Sequence, residues 1–375
     1  MKRLLLIGAG HAHAQVLLDL AQSPIPGVEV TVVSPHSLAP YSGMVPGWLA
    51  GLYTFDEIVI DFSRLCAAAG ARWMQGELDS LDTQQRSMRL NTGEQVGYDI
   101  LSLNVGSTLQ PPSMVGAEVL ALRPLSELRK GYESLLARWQ ASASDRVFTV
   151  TAVGGGAAGF ESLLAVVQRL RTLQPQRRVH GRLVTRGNTL LPSVSAMARR
   201  AATSALADAG IQVQLGTDWS ENAGASSDLV LWATGAQAHA WQTDPARRGA
   251  LAVSSSGFIR VDEQLRSVSQ PQVFAVGDCC EWANPLPKAG VYAVRMGPVL
   301  IHNLRAALAV AGVAGVEGGR PFRPQHQFLA LLATGSGRAI ASRGVLGAEG
   351  RWVWRWKDHI DRSFIRRFAI GNASD

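Results

Sequence analysis

The sequence has few cysteines and no long hydrophobic run, and each shortage excludes a class of protein. Three cysteines in 375 residues cannot form a disulfide framework, which favours a reducing compartment. No segment reaches the roughly 18 consecutive apolar residues of a transmembrane helix. The apolar run near the amino terminus, residues 4–7, is shorter than the about seven residues usual in an export signal. We therefore expect a cytoplasmic protein.

The rest of the composition is that of a globular protein of two or three domains, with 47% hydrophobic residues, 38 glycines and 17 prolines. The net charge is +7, but only four of the 36 basic residues are lysines. We attribute this skew to genome composition and expect no nucleic-acid partner. Residues 351–368 carry six basic and two acidic side chains, so this segment is predicted to contact the inner face of a membrane or a protein partner, the alternative being core packing of its aromatic residues.

Short apolar strands alternate with amphipathic helices, a pattern typical of an α/β fold with parallel sheets. The pattern begins at residue 2 and restarts at residue 146, and each half opens with a strand, a glycine turn and a helix. We predict strands over 2–7, 28–34, 98–105, 146–153, 182–185 and 228–233, and helices over 11–22 and 160–173. Residues 35–51, rich in proline and glycine, are predicted to form a long functional loop.

The second glycine turn is a complete G-x-G-x-x-G sequence made by Gly154, Gly156 and Gly159. It follows a predicted strand and opens a predicted helix, which is the context that a dinucleotide site requires. The first glycine permits a tight turn, the second lets a pyrophosphate approach the backbone, and the third lets helix and strand pack closely. The alternative is a purely structural turn.

The first glycine turn, Gly8-Ala9-Gly10, is incomplete because His13 occupies the third glycine position. A side chain of that size must push the helix away from the strand or lie in a pocket of its own. His11 is expected near the pyrophosphate of a bound dinucleotide. We expect no metal site at His11 and His13, because residues i and i+2 of a helix point in different directions.

Neither half carries the acidic residue that usually ends the second strand of such a unit and bonds the ribose. The first half has Ser34 there, whose hydroxyl can bond the ribose instead. The second half has Arg186 just beyond the strand, which favours the 2′-phosphate of NADPH over NADH unless it is an ordinary surface arginine.

Four blocks of sequence carry a resemblance to a known family: Gly8-Ala9-Gly10, YDILSLNVGS at 98–107, GGGAAGFE at 154–161 and VFAVGD at 273–278, with a further block, WATG, at 232–235. In order and spacing they resemble the flavoproteins with two dinucleotide-binding domains, the pyridine nucleotide-disulfide oxidoreductase superfamily. The resemblance implies two Rossmann-like domains of three layers. FAD is expected in the first (1–140 and 246–320), NAD(P)H in the inserted second (141–245), and a small C-terminal segment (321–375) follows.

The resemblance also implies which residues bind the cofactors. Asp278 is expected to hydrogen-bond the ribityl or pyrophosphate part of FAD, and a helix that starts within 288–291 is expected to stabilise reduced flavin through its dipole. The residues implied for FAD are Gly8, Ala9, Gly10, His11, Ser34, Gly106, Gly277, Asp278, Lys288, Ala289, Gly290 and Val291. Those implied for NAD(P)H are Gly154, Gly156, Gly159, Arg186 and Gly235.

Glu161 matches the glutamate that follows the family's glycine motif. The resemblance implies a catalytic carboxylate close to the flavin face where the nicotinamide stacks, bonding its carboxamide and helping to relay protons. The alternative is a glutamate that only interacts with the positive end of the helix dipole.

Within the superfamily the chain is similar to the type II NADH dehydrogenase and sulfide:quinone oxidoreductase branch. More narrowly, it resembles a group that occurs alone or fused ahead of selenophosphate synthetase, through GAGHAHAQVL at 8–17, PYSGMVPG at 40–47, KAGVYAVR at 288–295 and KDHIDRSF at 357–364. This narrower resemblance implies a functional link to selenophosphate synthetase.

Two departures from the superfamily limit the chemistry. The sequence has no C-x-x-C pair, and the adjacent Cys279 and Cys280 suit no unstrained disulfide, so we expect no redox disulfide. Type II dehydrogenases line their quinone site with two glutamines, whereas Val291 and Arg295 stand at those positions here. This disfavours a quinone, and Arg295 is expected either to orient an anionic acceptor or to be a structural, ion-paired residue.

We therefore predict an FAD enzyme in which NAD(P)H passes hydride to the flavin and the reduced flavin reduces an unidentified small-molecule acceptor. The rival hypothesis is a flavoprotein without turnover that serves as a redox sensor or delivery partner, linked to selenium metabolism.

The C-terminal segment contains a run of alternating aromatic residues, Trp352, Trp354 and Trp356. Alternation of this kind is typical of a strand. Asp358 is then expected to cap a short helix that follows the strand.

Overall fold

The computed structural model describes residues 1–113, 116–142, 145–219, 226–309, 318–325 and 327–370. Its strands are β1 Lys2–Ile7, β2 Val28–Ser34, β3 Leu38–Pro40, β4 Val59–Asp61, β5 Arg72–Gln75, β6 Leu78–Asp82, β7 Ser87–Leu90, β8 Gln95–Gly97, β9 Ile100–Leu103, β10 Glu118–Ala121, β11 Phe148–Val153, β12 Val179–Val184, β13 Ile211–Gln214, β14 Leu229–Trp232, β15 Ile259–Arg260, β16 Val273–Ala275, β17 Cys280–Glu281, β18 Ala330–Ala333, β19 Ala339–Arg343 and β20 Leu346–Gly350. Its helices are α1 His11–Gln22, α2 Val45–Leu49, α3 Phe62–Ala68, α4 Leu125–Ala141, α5 Ala157–Leu173, α6 Ala196–Asp208, α7 Ala240–Thr243, α8 Pro245–Arg248, α9 Gly290–Leu308 and α10 Arg351–Arg366, with 3-10 turns at Asp56–Ile58 and Gly277–Cys279.

The first sheet contains five parallel strands in the order β16-β9-β1-β2-β5. The central strand β1 is apolar on both faces, as a strand covered on both sides must be. Leu4 and Leu6 face the core shared with α1 and α9, whereas Leu5 and Ile7 face the core shared with the small sheet β6-β7-β8. The result is the three-layer arrangement that was predicted for a Rossmann-like unit.

The second sheet repeats this plan with five parallel strands in the order β10-β14-β11-β12-β13. α5 follows the second glycine turn and packs on β11 and β12. The predicted α/β fold with two Rossmann-like units is therefore confirmed. β10 joins this sheet through its pairing with β14, although it precedes the domain boundary predicted at residue 141. β10 has only four residues and is separated from the rest of its sheet by α4, so the sequence pattern could not show to which sheet it belongs.

Residues 35–51 contain regular structure, and the prediction of one long loop was wrong. β3 pairs with β4 in antiparallel register, and the backbone N–H of Tyr41 donates to the carbonyl of Ile58 at 2.7 Å. α2 follows with Pro46 in its first turn, where the missing N–H of proline costs nothing. Elements of three and five residues are too short to show periodicity, so composition dominated the prediction.

The C-terminal part consists of the antiparallel sheet β18-β19-β20 followed by the single helix α10. The predicted strand over the three tryptophans was wrong, and Asp358 lies inside the helix rather than at its start. Two helical faces produced the apparent alternation. Trp352 and Trp356, at i and i+4, stack on each other in the exposed face, while Trp354 stacks on Tyr53 at a ring distance of 5.8 Å.

Candidate functional site

The residues predicted to bind FAD lie at the carboxyl edge of the first sheet. The turn Gly8-Ala9-Gly10 follows β1, Ser34 ends β2, Gly106 follows β9, and Gly277 and Asp278 follow β16. These four strands are neighbours in the sheet, so their carboxyl ends meet at one edge. In open parallel sheets this edge is where ligands bind.

The residues predicted to bind NAD(P)H lie at the equivalent edge of the second sheet. The glycine turn 154–159 follows β11, Arg186 follows β12 and Gly235 follows β14, and these three strands are also neighbours. Arg186 is largely exposed and forms a 3.6 Å ion pair with the equally exposed Asp218. Its side chain is therefore free to turn towards a bound nucleotide at little cost.

The second glycine turn has the shape that a pyrophosphate requires. A Cβ at Gly159 would lie 2.1 Å from the carbonyl oxygen of Gly154, so only glycine lets helix and strand approach this closely. At Gly156, by contrast, a Cβ would meet no atom within 4 Å. Because Gly156 is the residue before α5, the start of this helix has no side-chain cap. The start of α5 thus presents backbone N–H groups towards open space, which suits a phosphate.

The first glycine turn is organised around Asn104, a residue that was not predicted to be functional. Its Oδ1 accepts hydrogen bonds from the backbone N–H groups of Ala12 and His13, at 3.2 and 3.4 Å, and its Nδ2 donates to the carbonyl of Val276. Asn104 therefore ties the start of α1 to the end of β16. The sequence contained one signal for this, since Asn104 stands where the family pattern YDxLxxATG has alanine.

His13 lies in a pocket of its own, the second of the two outcomes expected for a large residue at the third glycine position. The side chain is fully buried, and its ring nitrogens bond the carbonyl of Gly8 and the hydroxyl of Ser102, each at 2.8 Å. Burial lowers the pKa of His13 to about 4, so the ring is neutral near pH 7. The ring of His13 thus joins the first glycine turn to Ser102 on β9.

Asp278 has a cationic partner that sequence reasoning missed. Arg123, just beyond β10, donates Nη1 hydrogen bonds to the carboxylate of Asp278 and the hydroxyl of Ser107. His11 lies nearby, with its ring 5.2 Å from that of Tyr41, and burial lowers its pKa to about 4 despite the opposing effect of Asp278. This corner of the sheet edge thus carries a neutral imidazole, a carboxylate and a guanidinium. Nothing in the sequence around Arg123 distinguished it from the other arginines.

The segment 288–291 starts α9, as predicted. Ala289 is extended and precedes Gly290, the first helical residue. Lys288 does not point towards the helix start: its Nζ donates to the carbonyl of Cys280 at 2.7 Å and lies 3.6 Å from the ring centre of Phe258. Lys288 therefore ties this segment to β17.

Glu161 is the centre of a buried group of polar side chains. Its Oε1 accepts a 2.7 Å hydrogen bond from the backbone N–H of Ala333 on β18. Burial raises the pKa of Glu161 to about 7, while Lys357 and the bond from Ala333 oppose this rise and Asp361 adds to it. A carboxyl group with such a pKa can hold or release a proton near neutral pH. An interaction with the helix dipole, the alternative role for Glu161, does not explain why its carboxylate accepts a hydrogen bond from β18.

Lys357 and Asp361 form an ion pair inside the protein, with side chains only 6% and 7% exposed and an Nζ–Oδ2 distance of 2.6 Å. Lys357 also donates to the carbonyl of Gly43 at 2.6 Å, and the hydroxyl of Tyr41 hydrogen-bonds Asp361. Burial raises the pKa of Asp361. The ion pair joins α10 to the segment between β3 and α2, and its members were not predicted as site residues because their partners lie about 300 positions away.

The three cysteines are free and buried. Burial raises the pKa of Cys279 to about 11 and that of Cys280 well above its ordinary value, so both stay protonated thiols near neutral pH. These thiols are unsuited to attack a substrate. Within the described ranges, no cluster of three or more His, Cys, Asp or Glu residues suits a metal ion.

Helix α10 is amphipathic. Val353, Lys357, Asp361 and Phe364 form its buried face, whereas Trp352, Trp356 and Ile360 are 57%, 41% and 38% exposed. In the described part of the chain, none of the helices has the length and apolar content needed to cross a membrane.

Comparison with known proteins identifies the family to which the sequence belongs. The sequence profile of the family described as Pyridine nucleotide-disulphide oxidoreductase matches residues 2–297. The demethylphylloquinone reductase NdbB of a Synechocystis strain is 25% identical over 311 residues, which cover 76% of this chain and 72% of the relative. Human ferroptosis suppressor protein 1 is 25% identical over 314 residues, which cover 77% of this chain and 74% of the relative.

Solved structures share the fold at low sequence identity. The sulfide:quinone oxidoreductase of Aquifex aeolicus has a TM-score of 0.77 at 14% identity, covering 99% of this chain and 92% of that protein. NDH2 of Plasmodium falciparum, solved with NADH, has a TM-score of 0.74 at 14% identity and covers 99% of both chains. Because the family profile spans most of the sequence, the chain belongs to the pyridine nucleotide-disulphide oxidoreductase family, and it is an NAD(P)H-dependent oxidoreductase with FAD as its cofactor.

Proposed function

We propose that the chain transfers two electrons from NAD(P)H, by way of FAD, to a small-molecule acceptor. In the balanced reaction, NAD(P)H, a proton and the acceptor yield NAD(P)⁺ and the acceptor with two added hydrogens. The observation that carries this proposal is the position of Glu161. It lies near the start of the helix that opens at the predicted NAD(P)H turn, and Asp361, which affects its pKa, bonds Tyr41 beside the predicted FAD turn.

The roles of individual residues follow from their places. Bound FAD supplies the hydride-accepting ring. The uncapped start of α5 is suited to bind the pyrophosphate of NAD(P)H, and the exposed Arg186 would bond a 2′-phosphate. Glu161, with a pKa of about 7, can bond the carboxamide and hold the proton that the balanced reaction consumes.

Stopped-flow mixing of the purified, FAD-loaded protein with NADH or NADPH tests the proposal against the rival of a flavoprotein without turnover. We expect rapid bleaching of the flavin absorbance, followed by reoxidation when an acceptor is added. Failure of both nucleotides to bleach the flavin on the time scale of seconds would reject the proposed electron transfer from NAD(P)H to FAD. Because one relative is named for demethylphylloquinone, a neutral naphthoquinone belongs in the acceptor series.

We further propose that the exposed face of α10 contacts a membrane surface. Its stripe of Trp352, Trp356 and Ile360 is flanked by the exposed Arg351 and Arg355. Tryptophan favours an interface that is apolar at one side and wet at the other, and arginine is attracted to anionic lipid headgroups. A helix of this kind lies in the plane of the interface.

A further inference from the structure

A cleft of about 590 Å³ lies between α9 and the segment that precedes β18, and of its lining residues only Arg295 was given a role above. One wall is formed by Arg295 and Val299 of α9. The other wall consists of Arg320, Pro321, Phe322, Arg323 and Gln325. The cleft thus combines three guanidinium groups with an apolar surface.

The three arginines of the cleft have no acidic neighbour in its lining. In the ranges that the structure describes, their guanidinium groups take part in none of the ion pairs, whereas Arg305, also on α9, pairs with Asp19 at 2.6 Å. Three like charges around one cavity repel each other, which lowers stability unless an anion is bound. A cleft lined by one sign of charge also concentrates ions of the opposite sign.

The wall opposite α9 is held firmly. The buried amide of Asn303 bonds the backbone of Arg320 in both directions, accepting from its N–H at 2.6 Å and donating to its carbonyl at 3.0 Å. The N–H of Phe322 donates to the carbonyl of Glu263, and its ring lies 5.6 Å from that of Trp282. A wall fixed in this way loses little conformational entropy when a ligand binds.

One face of α9 runs from the segment implied to contact the flavin to the cleft. Val291, Arg295 and Val299 follow one another at i, i+4 and i+8, so they share one face of α9. Val291 lies in the first turn of the helix, in the segment implied to contact the flavin, and Val299 lines the cleft. A molecule that fills the cleft can therefore extend along this face towards the flavin.

We propose that this cleft binds an organic anion, an aromatic or otherwise apolar molecule that carries a sulfonate, carboxylate or phosphate group. The guanidinium groups of Arg295 and Arg323 hold the acidic group, because arginine pairs such oxygens with two parallel hydrogen bonds. The apolar part packs on Phe322 and Val299. One further step rests on the proposed function: the bound anion is the electron acceptor, since one face of α9 joins the cleft to the segment implied to contact the flavin.

Direct binding tests the site without any redox reaction. The probe is 1-anilinonaphthalene-8-sulfonate, and its neutral control is N-phenyl-1-naphthylamine, which lacks only the sulfonate. Fluorescence titration of the FAD-loaded protein should show that Arg295→Gln and Arg323→Gln each weaken sulfonate binding about tenfold, the effect of losing a charged hydrogen bond. Binding of the neutral probe should not change. Arg343→Gln, at an exposed arginine on β19, is the matched control variant.

Several results would overturn the anion site. Equal sulfonate affinity in both cleft variants and in Arg343→Gln would do so, as would parallel loss of the sulfonate and the neutral probe. If phosphatidylglycerol vesicles displace the probe and soluble 1,2-naphthoquinone-4-sulfonate does not, the arginines bind lipid headgroups and the small-molecule site is rejected. Displacement by the soluble sulfonate supports the small-molecule site.

The acceptor step has its own measurement. With 1,2-naphthoquinone-4-sulfonate as acceptor, Arg323→Gln should raise KM about tenfold, while KM for the neutral quinone menadione stays unchanged. Equal KM changes for both quinones would reject this step. Flavin bleaching by NAD(P)H is recorded in the same samples, so loss of the proposed function itself is recognised separately.

Discussion

The carboxamide of Asn104 occupies the space that a side chain on Gly10 would need, since a Cβ at Gly10 would lie 2.1 Å from its Oδ1. The same oxygen accepts the N–H groups of Ala12 and His13 at the start of α1. The requirement for glycine at position 10 therefore has a cause within the protein, in addition to the predicted approach of a pyrophosphate.

Gly10→Ala should destabilise the protein by about 1–3 kcal/mol, because the added Cβ overpacks against Asn104. Asn104→Gly should also destabilise it, since two helix N–H groups lose their acceptor. The double variant should be less destabilised than the sum of the two, and urea unfolding measures this coupling. Strictly additive losses would show that the two residues do not interact. Flavin content after desalting, recorded alongside, reports whether Gly10→Ala also loses FAD.

Glu161 should make the free energy of unfolding depend on pH. Its pKa is raised from 4.5 to about 7, so the folded protein keeps a proton that the unfolded chain has released. The free energy of unfolding therefore falls as pH rises from about 4.5 to 7, by about 3 kcal/mol for this group. Glu161→Gln removes this contribution and should flatten the dependence in urea unfolding. The exposed Glu127→Gln is the control, and a wild-type slope in Glu161→Gln would refute the assignment.

Lys357 and Asp361 should shift the pKa of Glu161 in opposite directions. Lys357→Met removes a cation that lowers this pKa, so the pKa should rise, whereas Asp361→Asn removes an anion that raises it, so the pKa should fall. The pH dependence of flavin bleaching by NAD(P)H measures both shifts. Shifts in the same direction would indicate general damage to α10 instead of an electrostatic effect on Glu161.

Arg186 should distinguish the two nicotinamide cofactors. If its guanidinium bonds the 2′-phosphate, Arg186→Ala weakens NADPH binding by about 1–3 kcal/mol and leaves NADH nearly unchanged. Asp218→Asn, which removes the present partner of Arg186, should not weaken NADPH. Titration of the wild type and both variants with both nucleotides gives the six affinities. Equal effects of Arg186→Ala on NADH and NADPH binding would show that Arg186 is an ordinary surface arginine that does not bond the 2′-phosphate.

The exposed face of α10 should bind anionic liposomes, with binding that weakens as salt rises because charge screening acts on Arg351 and Arg355. Trp352→Ser with Trp356→Ser should reduce co-sedimentation. Both side chains are exposed, so these changes should leave the thermal unfolding temperature unaltered. Val213→Ser, at an exposed apolar residue on β13, is the control. Absence of binding at low salt in a folded sample would contradict the membrane proposal.

The sequence by itself determined the parts of the fold that depend on neighbouring residues. β1, α1 and β2 have the predicted bounds because an apolar strand, a glycine turn and a helix are all encoded within about ten residues of one another. The same local pattern predicted α5, although the helix begins at Ala157 and not at residue 160 as expected. Glu161 was found because it stands next to that motif, although the sequence could not show its burial or the cause of its raised pKa.

Only the tertiary structure decided the contacts between distant segments. Asn104 meets the start of α1 from 92 residues away, and Lys357 meets Gly43 from 314 residues away. Periodicity carries no information on such pairs, because each partner satisfies its local pattern whether or not the other is present. The same limit explains α10: the alternation of Trp352, Trp354 and Trp356 fits a strand or two faces of a helix, and the burial of Val353, Lys357 and Asp361 against other elements selects the helix.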